Sequence, residues 1–385
     1  MKVLQTIAGL SKKSGGPSTC TYDLLKSINN TVNTVDLLTV DIRDKDDSLM
    51  GNGESWIKVV PNDCLSPYCI SKNIKKFLEK TKYELYHTNG LWLYCNHLTC
   101  SFARKQMKPY VITVHGMLNP LALKRSLWKK WPLLYLFFNK DIRRAACIHA
   151  TCLQEMQDVR NFGYKGPIAV IPNPADLPLY VDDIARNKEA LLKKTPLKRF
   201  GFLGRLHPVK KVENLLYAAA KLKSKDNFEI LIIGKGDCKY EDFLKTEVDR
   251  LALTNVKFLG FVTGQEKFNL LSSLSVLFVP SDFENFGMIV TEALSVCTPV
   301  VASLGTPWED LNKRNCGWWI DQHPDSLAEI MEKILTISDD SLLEMGENGR
   351  KLVHEKYDAR TIALQMQNLY KWLLHNGTKP DFVYL

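Results

Sequence analysis

Two carboxylates, Glu284 and Glu292, stand within the apolar stretch LFVPSDFENFGMIVTEALSVCTPVVAS, residues 277–303. An unpaired buried carboxylate is costly, so Glu292, inside the apolar run, needs a hydrogen-bonding partner. Glu284 leads into Asn285-Phe286-Gly287, where the first free N–H groups of a helix are expected to point outward. Gly287 lets a ligand come close to the backbone there. Two acceptors beside a set of donors suit a ligand dense in hydroxyls, a sugar or a ribose. The spacing alone leaves another outcome open, with Glu292 paired to a Lys or Arg and Glu284 only capping the helix.

A second constellation reads Gly204-Arg205-Leu206-His207-Pro208-Val209-Lys210-Lys211. A diphosphate needs its charge neutralised. Arg205 offers a planar fork and Lys210 a point charge, both just ahead of a helix N-terminus. Ser14-Gly15-Gly16-Pro17 follows the first apolar run, the strand–glycine–helix order of a phosphate cradle. It is not a G-x-G-x-x-G fingerprint, and an ordinary turn fits it as well. His115-Gly116 ends the apolar run Tyr110–Val114, where α/β sheets place ligands.

These residues carry a resemblance. Glu284-x7-Glu292 within SDFENFGMIVTEAL, followed by TPVVAS, resembles the signature of glycosyltransferase family 4. Members are retaining enzymes of the GT-B fold that move a sugar from a nucleotide diphosphate to an acceptor. Gly204 to Lys210 is similar to the family's G-R-L-x-P-x-K element, and SLGTPWEDL with NCGWWI resembles a branch of bacterial surface-polysaccharide enzymes. The resemblance implies that Glu284, Phe286, Gly287 and His115 hold the donor sugar. It implies further that Arg205 and Lys210 hold the diphosphate, Glu292 the ribose and Val262 the base, with Gly15 and Gly16 against diphosphate and acceptor. The catalytic set so implied is Glu284, His115, Arg205 and Lys210. No protein nucleophile is implied; front-face attack by the acceptor hydroxyl is the family's common proposal. The chain departs from the pattern at Asn285 and at Lys211, where many members have glycine.

The elements that must position these groups alternate. Strands are expected at Val3–Ile7, Val35–Val40, Tyr83–His87, Tyr110–Val114, Cys147–Ala150 and Ala169–Ile171, then at Arg199–Leu203, Glu229–Ile233, Val256–Leu259, Val276–Val279 and Pro299–Ala302. Helical spacing fills the gaps, as covered parallel sheets require. The expected fold class is α/β: two Rossmann-like domains of GT-B type facing across a cleft. The boundaries expected are 1–172, a proline-rich linker over 173–197, 198–356, and a last segment 357–385 whose helix returns to the first domain.

Length agrees, since 385 residues suit two domains of about 150–190 residues each. The net charge of +9 favours anionic partners. Within residues 118–144, seven basic residues (Lys124, Arg125, Lys129, Lys130, Lys140, Arg143, Arg144) interleave with Trp128, Trp131, Tyr135, Phe137 and Phe138. That suits contact with an anionic membrane surface, or a helix packed on the sheet with a basic edge. No nucleic-acid reader module accompanies the charge, so no nucleic-acid partner is expected. Ten cysteines lack C-x-x-C or His-coupled metal spacing. The charged turn containing Asp44-Lys45-Asp46 reads as solvated, so neither metal nor cofactor is expected.

Unpaired cysteines and the lack of a signal-like or membrane-spanning run point to the cytoplasm, at most peripheral to the inner membrane face. The expected partners are a nucleotide-sugar donor, UDP- or GDP-linked, and a glycan or lipid-linked acceptor. A nucleotide-sugar epimerase of the same fold and a non-catalytic membrane-associated scaffold are the competing readings. A nicotinamide dehydrogenase would need the missing G-x-G-x-x-G.

Overall fold

The computed structural model describes residues 1–11, 15–30, 35–42, 47–64, 68–124, 132–193, 197–224, 226–375 and 377–385. The chain forms two units, Met1–Asp176 with Asp358–Leu385, and Leu177–Tyr357. The Asp44-Lys45-Asp46 triplet lies outside the described residues, as do Arg125, Trp128, Lys129, Lys130 and Trp131 of the basic segment.

The first unit is built on strands β1 (Val3–Thr6), β2 (Val35–Val40), β3 (Ile57–Val60), β4 (Leu85–Asn89), β5 (Tyr110–Thr113), β6 (Cys147–Ala150), β7 (Ile168–Val170) and β14 (Val383–Tyr384). They lie in the order β14-β7-β6-β5-β4-β1-β2-β3, parallel except for β14 against β7. Val3 pairs with Val35 on one side and Leu85 on the other. β1, β4, β5 and β6 are buried along their whole length, so the sheet is covered on both faces. One cover is the helix Ala359–Leu373, whose Ile362, Met366, Leu369 and Tyr370 share a core with Leu24, Leu25 and Ile28. The helix expected to return to the first domain thus packs there. Asp358 caps it, accepting from Arg360 N at 3.0 Å and Thr361 N at 3.1 Å.

Under that helix runs a chain of neutral polar groups. Gln5 Nε2 donates to the Tyr370 hydroxyl (2.7 Å), which lies 2.7 Å from His87 Nδ1. His87 Nε2 is 2.6 Å from Thr113 Oγ1, itself 2.8 Å from His149 Nδ1. Burial holds the His87 imidazole well below its ordinary value, and pushes that of His149 down to about 4. Both rings are therefore neutral near neutral pH.

The second unit carries β8 (Lys198–Leu203), β9 (Phe228–Ile233), β10 (Val256–Gly260), β11 (Val276–Val279), β12 (Val300–Ser303) and β13 (Gly317–Ile320). All are parallel, in the order β10-β9-β8-β11-β12-β13. β9, β11 and β12 are buried throughout. Pro280, which lacks a backbone N–H, immediately follows β11.

The stretch expected to be linker is shorter than its polar sequence suggested. Residues 177–193 belong to the second unit and fold into helices Tyr180–Arg186 and Lys188–Lys193. Lys188 anchors them. Its buried Nζ donates to Ser272 O (2.7 Å), Leu274 O and Thr298 Oγ1 (2.9 Å), closing the end of the helix Gly264–Ser273. Burial pushes this amine down to about 7. Among the described residues no helix is long and apolar enough to cross a membrane.

Candidate active site

In the second unit the chain steps outward from β8 through β9 to β10, then returns to the other side of β8 at β11. The loops after β8 and β11 therefore leave the same sheet edge on either side of a topological switch point, where open α/β sheets form a crevice. Arg205, Lys210, Glu284, Phe286 and Gly287 all lie in these two loops.

Glycines set the course of the first loop. A Cβ on Gly234 would stand 1.9 Å from the Gly204 carbonyl oxygen, and one on Gly236 would stand 1.8 Å from that of Leu206. Only glycine permits this backbone-on-backbone approach, which is fastened by Leu206 N donating to Lys235 O at 3.1 Å. His207 Nδ1 then accepts from Val209 N at 3.2 Å and turns the chain through Pro208–Lys210. Asp282 N donates to Val209 O at 2.9 Å and ties this turn to the loop after β11.

The tie brings Lys210 and Glu284 together. The Lys210 ammonium forms an ion pair with Glu284 Oε1, which also accepts from Ser281 Oγ at 2.9 Å. Their side chains are 20% and 14% exposed, so the pair is half-buried but open to solvent. Glu284 does not cap the following helix, Met288–Ser295. Gly287 does, at φ 79° and with no side-chain bond to the first turn. The Phe286 ring is buried against Trp308 and Tyr357, and its carbonyl accepts from Trp308 Nε1 at 2.6 Å. Its ring is thus committed to the core. Arg205 is exposed on the β8 loop.

Glu292 pairs with Lys267 at 2.8 Å, each side chain about a fifth exposed. This is the partner its burial demands. Val262 is half-buried, just past β10 on the same sheet edge.

In the first unit the switch point lies between β1 and β4. Gly15, at φ 83°, precedes the helix Gly16–Asn29, and among the described residues no group stands within 4 Å of where a Cβ on Gly15 or Gly16 would sit. His115 follows β5 in the left-handed region at φ 48°, uncommon for a residue with a side chain. Its Nε2 is buried and, among the described residues, has no hydrogen-bond partner. Burial, with His149 nearby, pushes the imidazole down to about 3. His115 is therefore a neutral group with an unused hydrogen-bonding atom.

Sequence reading passed over Ser281, Lys267 and Trp308, which fix Glu284, Glu292 and the Phe286 carbonyl. Trp308 lies in the TPWED run and Ser281 opens the SDFENFG run, so two of the three stood in motifs already singled out, and Lys267 did not. Among the described residues, no three His, Cys, Asp or Glu side chains converge as metal ligands would.

Comparison with known proteins bears on this geometry. The sequence model described as Glycosyltransferase Family 4 matches residues 14–178, and that described as Glycosyl transferases group 1 matches residues 183–352. Between them they take in both units. The chain belongs to glycosyltransferase family 4.

An uncharacterised glycosyltransferase of Methanocaldococcus jannaschii is 36% identical over 174 residues, 44% of each chain. The UDP-Gal:alpha-D-GlcNAc-diphosphoundecaprenol alpha-1,3-galactosyltransferase of Escherichia coli is 26% identical over 324 residues, 77% of this chain and 78% of the relative. Among solved structures, Anabaena HepE in complex with UDP and glucose superposes with TM-score 0.74 at 19% identity, covering 97% of this chain and all of the other. At that identity the likeness shows the fold. This family 4 glycosyltransferase has the GT-B type of architecture, two Rossmann-like units each on a mostly or wholly parallel sheet.

Proposed function

We propose that the protein transfers a hexose-type sugar, with retention of anomeric configuration, from a nucleotide-diphosphate donor to a glycan or lipid-linked acceptor of bacterial surface polysaccharide. The observation that carries the reading is the Lys210–Glu284 pair at the switch point of the second sheet, beside the exposed Arg205.

Each partner of that pair can be exchanged for part of one ligand. The diphosphate replaces Glu284 on Lys210, with Arg205 forking a second phosphate oxygen. Glu284, released, accepts from sugar hydroxyls, while backbone N–H groups at Phe286 and Gly287 face the same ligand. As the glycosidic bond breaks, negative charge grows on the leaving diphosphate and these cations stabilise it more than they stabilise the bound donor. Glu292 accepts from the ribose hydroxyls with Lys267 as its counter-charge, and Val262 lies against the base. His115, neutral at neutral pH, offers a hydrogen bond rather than a charge to the donor sugar. Gly15 and Gly16 leave backbone open to the diphosphate and acceptor. The acceptor hydroxyl attacks from the face the leaving group departs and gives its proton to the departing diphosphate oxygen, with no covalent protein intermediate. The donor is UDP- or GDP-linked, and Arg205 and Lys210 supply the cations its diphosphate needs without a metal or other cofactor.

The acceptor assignment is supported by the E. coli relative, whose name specifies a diphosphoundecaprenol-linked acceptor. A surface of the first unit agrees with it. Tyr135 and Leu136 are exposed beside exposed Lys140, Arg143 and Arg144, while Phe138, Asp141 and Ile142 are buried and anchor this segment. Each such cation near an anionic leaflet adds about 1 kcal/mol. The enzyme would act in the cytoplasm, peripheral to the inner face of the membrane.

The test offers UDP-glucose, UDP-galactose, UDP-N-acetylglucosamine and GDP-mannose, each with an undecaprenyl-diphosphate-linked sugar. One donor should give a product whose new anomeric centre matches the donor's by proton NMR. Inversion refutes retention. No product with any donor, although a nucleotide binds, favours a scaffold, and an epimerised free donor favours an epimerase.

A further inference from the structure

The His115–Gly116 turn is held by a single helix, Leu153–Asn161, through two carboxylates one turn apart. Glu155 is 3% exposed, and its Oε1 accepts from Gly116 N. Its Oε2 accepts from Thr151 N at 2.5 Å and Thr151 Oγ1 at 2.9 Å. Asp158 Oδ2 accepts from Asn119 Nδ2 at 2.9 Å, and Asn119 N donates back to Gly116 O at 3.1 Å. Between these anchors His115 takes a left-handed conformation that its side chain disfavours, and it ends with Nε2 buried and unpaired. Strain of this kind persists only where the surroundings over-determine it.

A carboxylate is an expensive choice for the clamp. Burial pushes Glu155 up to about 7, against the three donors that favour its ionised form. Glutamine would fill the same volume, yet it keeps one acceptor oxygen and would turn an NH2 toward either the Gly116 or the Thr151 N–H. The geometry therefore needs two acceptor oxygens back to back, one for each turn.

We infer that Glu155 is a positioning residue for sugar transfer: it clamps the Gly116 amide and so holds the His115 ring, with its free Nε2, in the orientation used on the donor. The inference rests on the reading of His115 given above.

Hydrogen exchange over residues 114–118 tests the clamp without any donor. Relative to wild type, Glu155→Gln should exchange the Gly116 amide about tenfold faster, the size expected for one lost hydrogen bond to a charged group. Thr151→Val, which spares the Gly116 bond, should leave that amide unchanged. Nucleotide release from the four donors then tests the role. Glu155→Gln and His115→Ala should each lower kcat, and the double variant should match His115→Ala within about twofold, since Glu155 acts only through that ring. Glu155→Asp, which keeps the charge but cannot span both turns, carries the same readouts if Glu155→Gln does not fold. Unchanged exchange at Gly116, or losses that multiply in the double variant, overturns the inference. Full activity in His115→Ala with fast exchange in Glu155→Gln removes the reading of His115 itself, and with it the role of Glu155 in transfer.

Discussion

At the sheet edge of the second unit the polar side chains are charged and paired, Lys210 with Glu284 and Lys267 with Glu292. At the matching edge of the first unit they are neutral: His115 with its free Nε2, and behind it the His87–Thr113–His149 chain. The difference follows from depth. The ion pairs keep a seventh to a fifth of their side-chain surface in water, enough to hold charge. The His87 and His149 rings are buried outright and the half-buried His115 has its Nε2 out of water, and burial holds all three imidazoles toward the neutral form. Charged polar groups thus mark the sheet edge of the second unit and neutral ones that of the first.

The largest expected effect would break that division. If charge stabilises the departing diphosphate, Lys210→Ala should lower kcat/KM for nucleotide release by about 10³-fold, the scale of a lost transition-state contact. His115→Gln should lower it by about tenfold, one neutral hydrogen bond. Equal losses would erase the contrast.

Lys188 is a fully buried amine of the second unit. Lys188→Met takes the buried donor from the Ser272 and Leu274 carbonyls and from the Thr298 hydroxyl, which keeps its own bond to Leu271 O, and should destabilise the protein by about 3 kcal/mol in urea unfolding. Nothing local in RNKEALLKK announced this. The residue reads as polar linker because its three acceptors lie 84 to 110 positions away.

Acid should separate the units next. His115 and His149 ionise in the fold only near pH 3 and 4, but near 6.5 once unfolded. Between those values these rings bind more protons in the unfolded chain and draw stability down as pH falls below about 6.5, while Glu155, raised to about 7 in the fold, takes up its proton in the same window and offsets part of the fall. Each group contributes about 1 kcal/mol per pH unit through that window. Urea midpoints at pH 7 and pH 5 measure the fall, and His149→Gln should flatten it.

Tyr370→Phe gives the smallest change, about 1 kcal/mol, by removing the hydroxyl shared by Gln5 and His87. A loss several times larger would mean that the returning helix depends on this neutral chain more than on its apolar face.

What the sequence disclosed follows the same physics. β11, Pro280 and the Glu284–Glu292 spacing were legible because one short stretch carries the whole pattern. The strands at Val35–Val40, Cys147–Ala150 and Val276–Val279 fall where their apolar runs end. The pairing of Lys210 with Glu284 spans 74 residues and that of Lys267 with Glu292 joins two helices, so neither had a local signature. Glu155 was hidden for a further reason: its three donors are two backbone amides and a hydroxyl, which leave no charge partner to notice.

The charged edge of the second unit should hold a nucleoside diphosphate. Thermal unfolding with UDP, GDP, ADP and CDP, for wild type and for Arg205→Ala, Lys210→Ala and Glu292→Ala, tests it most directly. Binding raises the melting temperature by mass action. One nucleotide should stabilise the wild type, and all three variants should lose most of that shift. No shift with any nucleotide, or a shift that survives in Lys210→Ala and Arg205→Ala, would contradict the account.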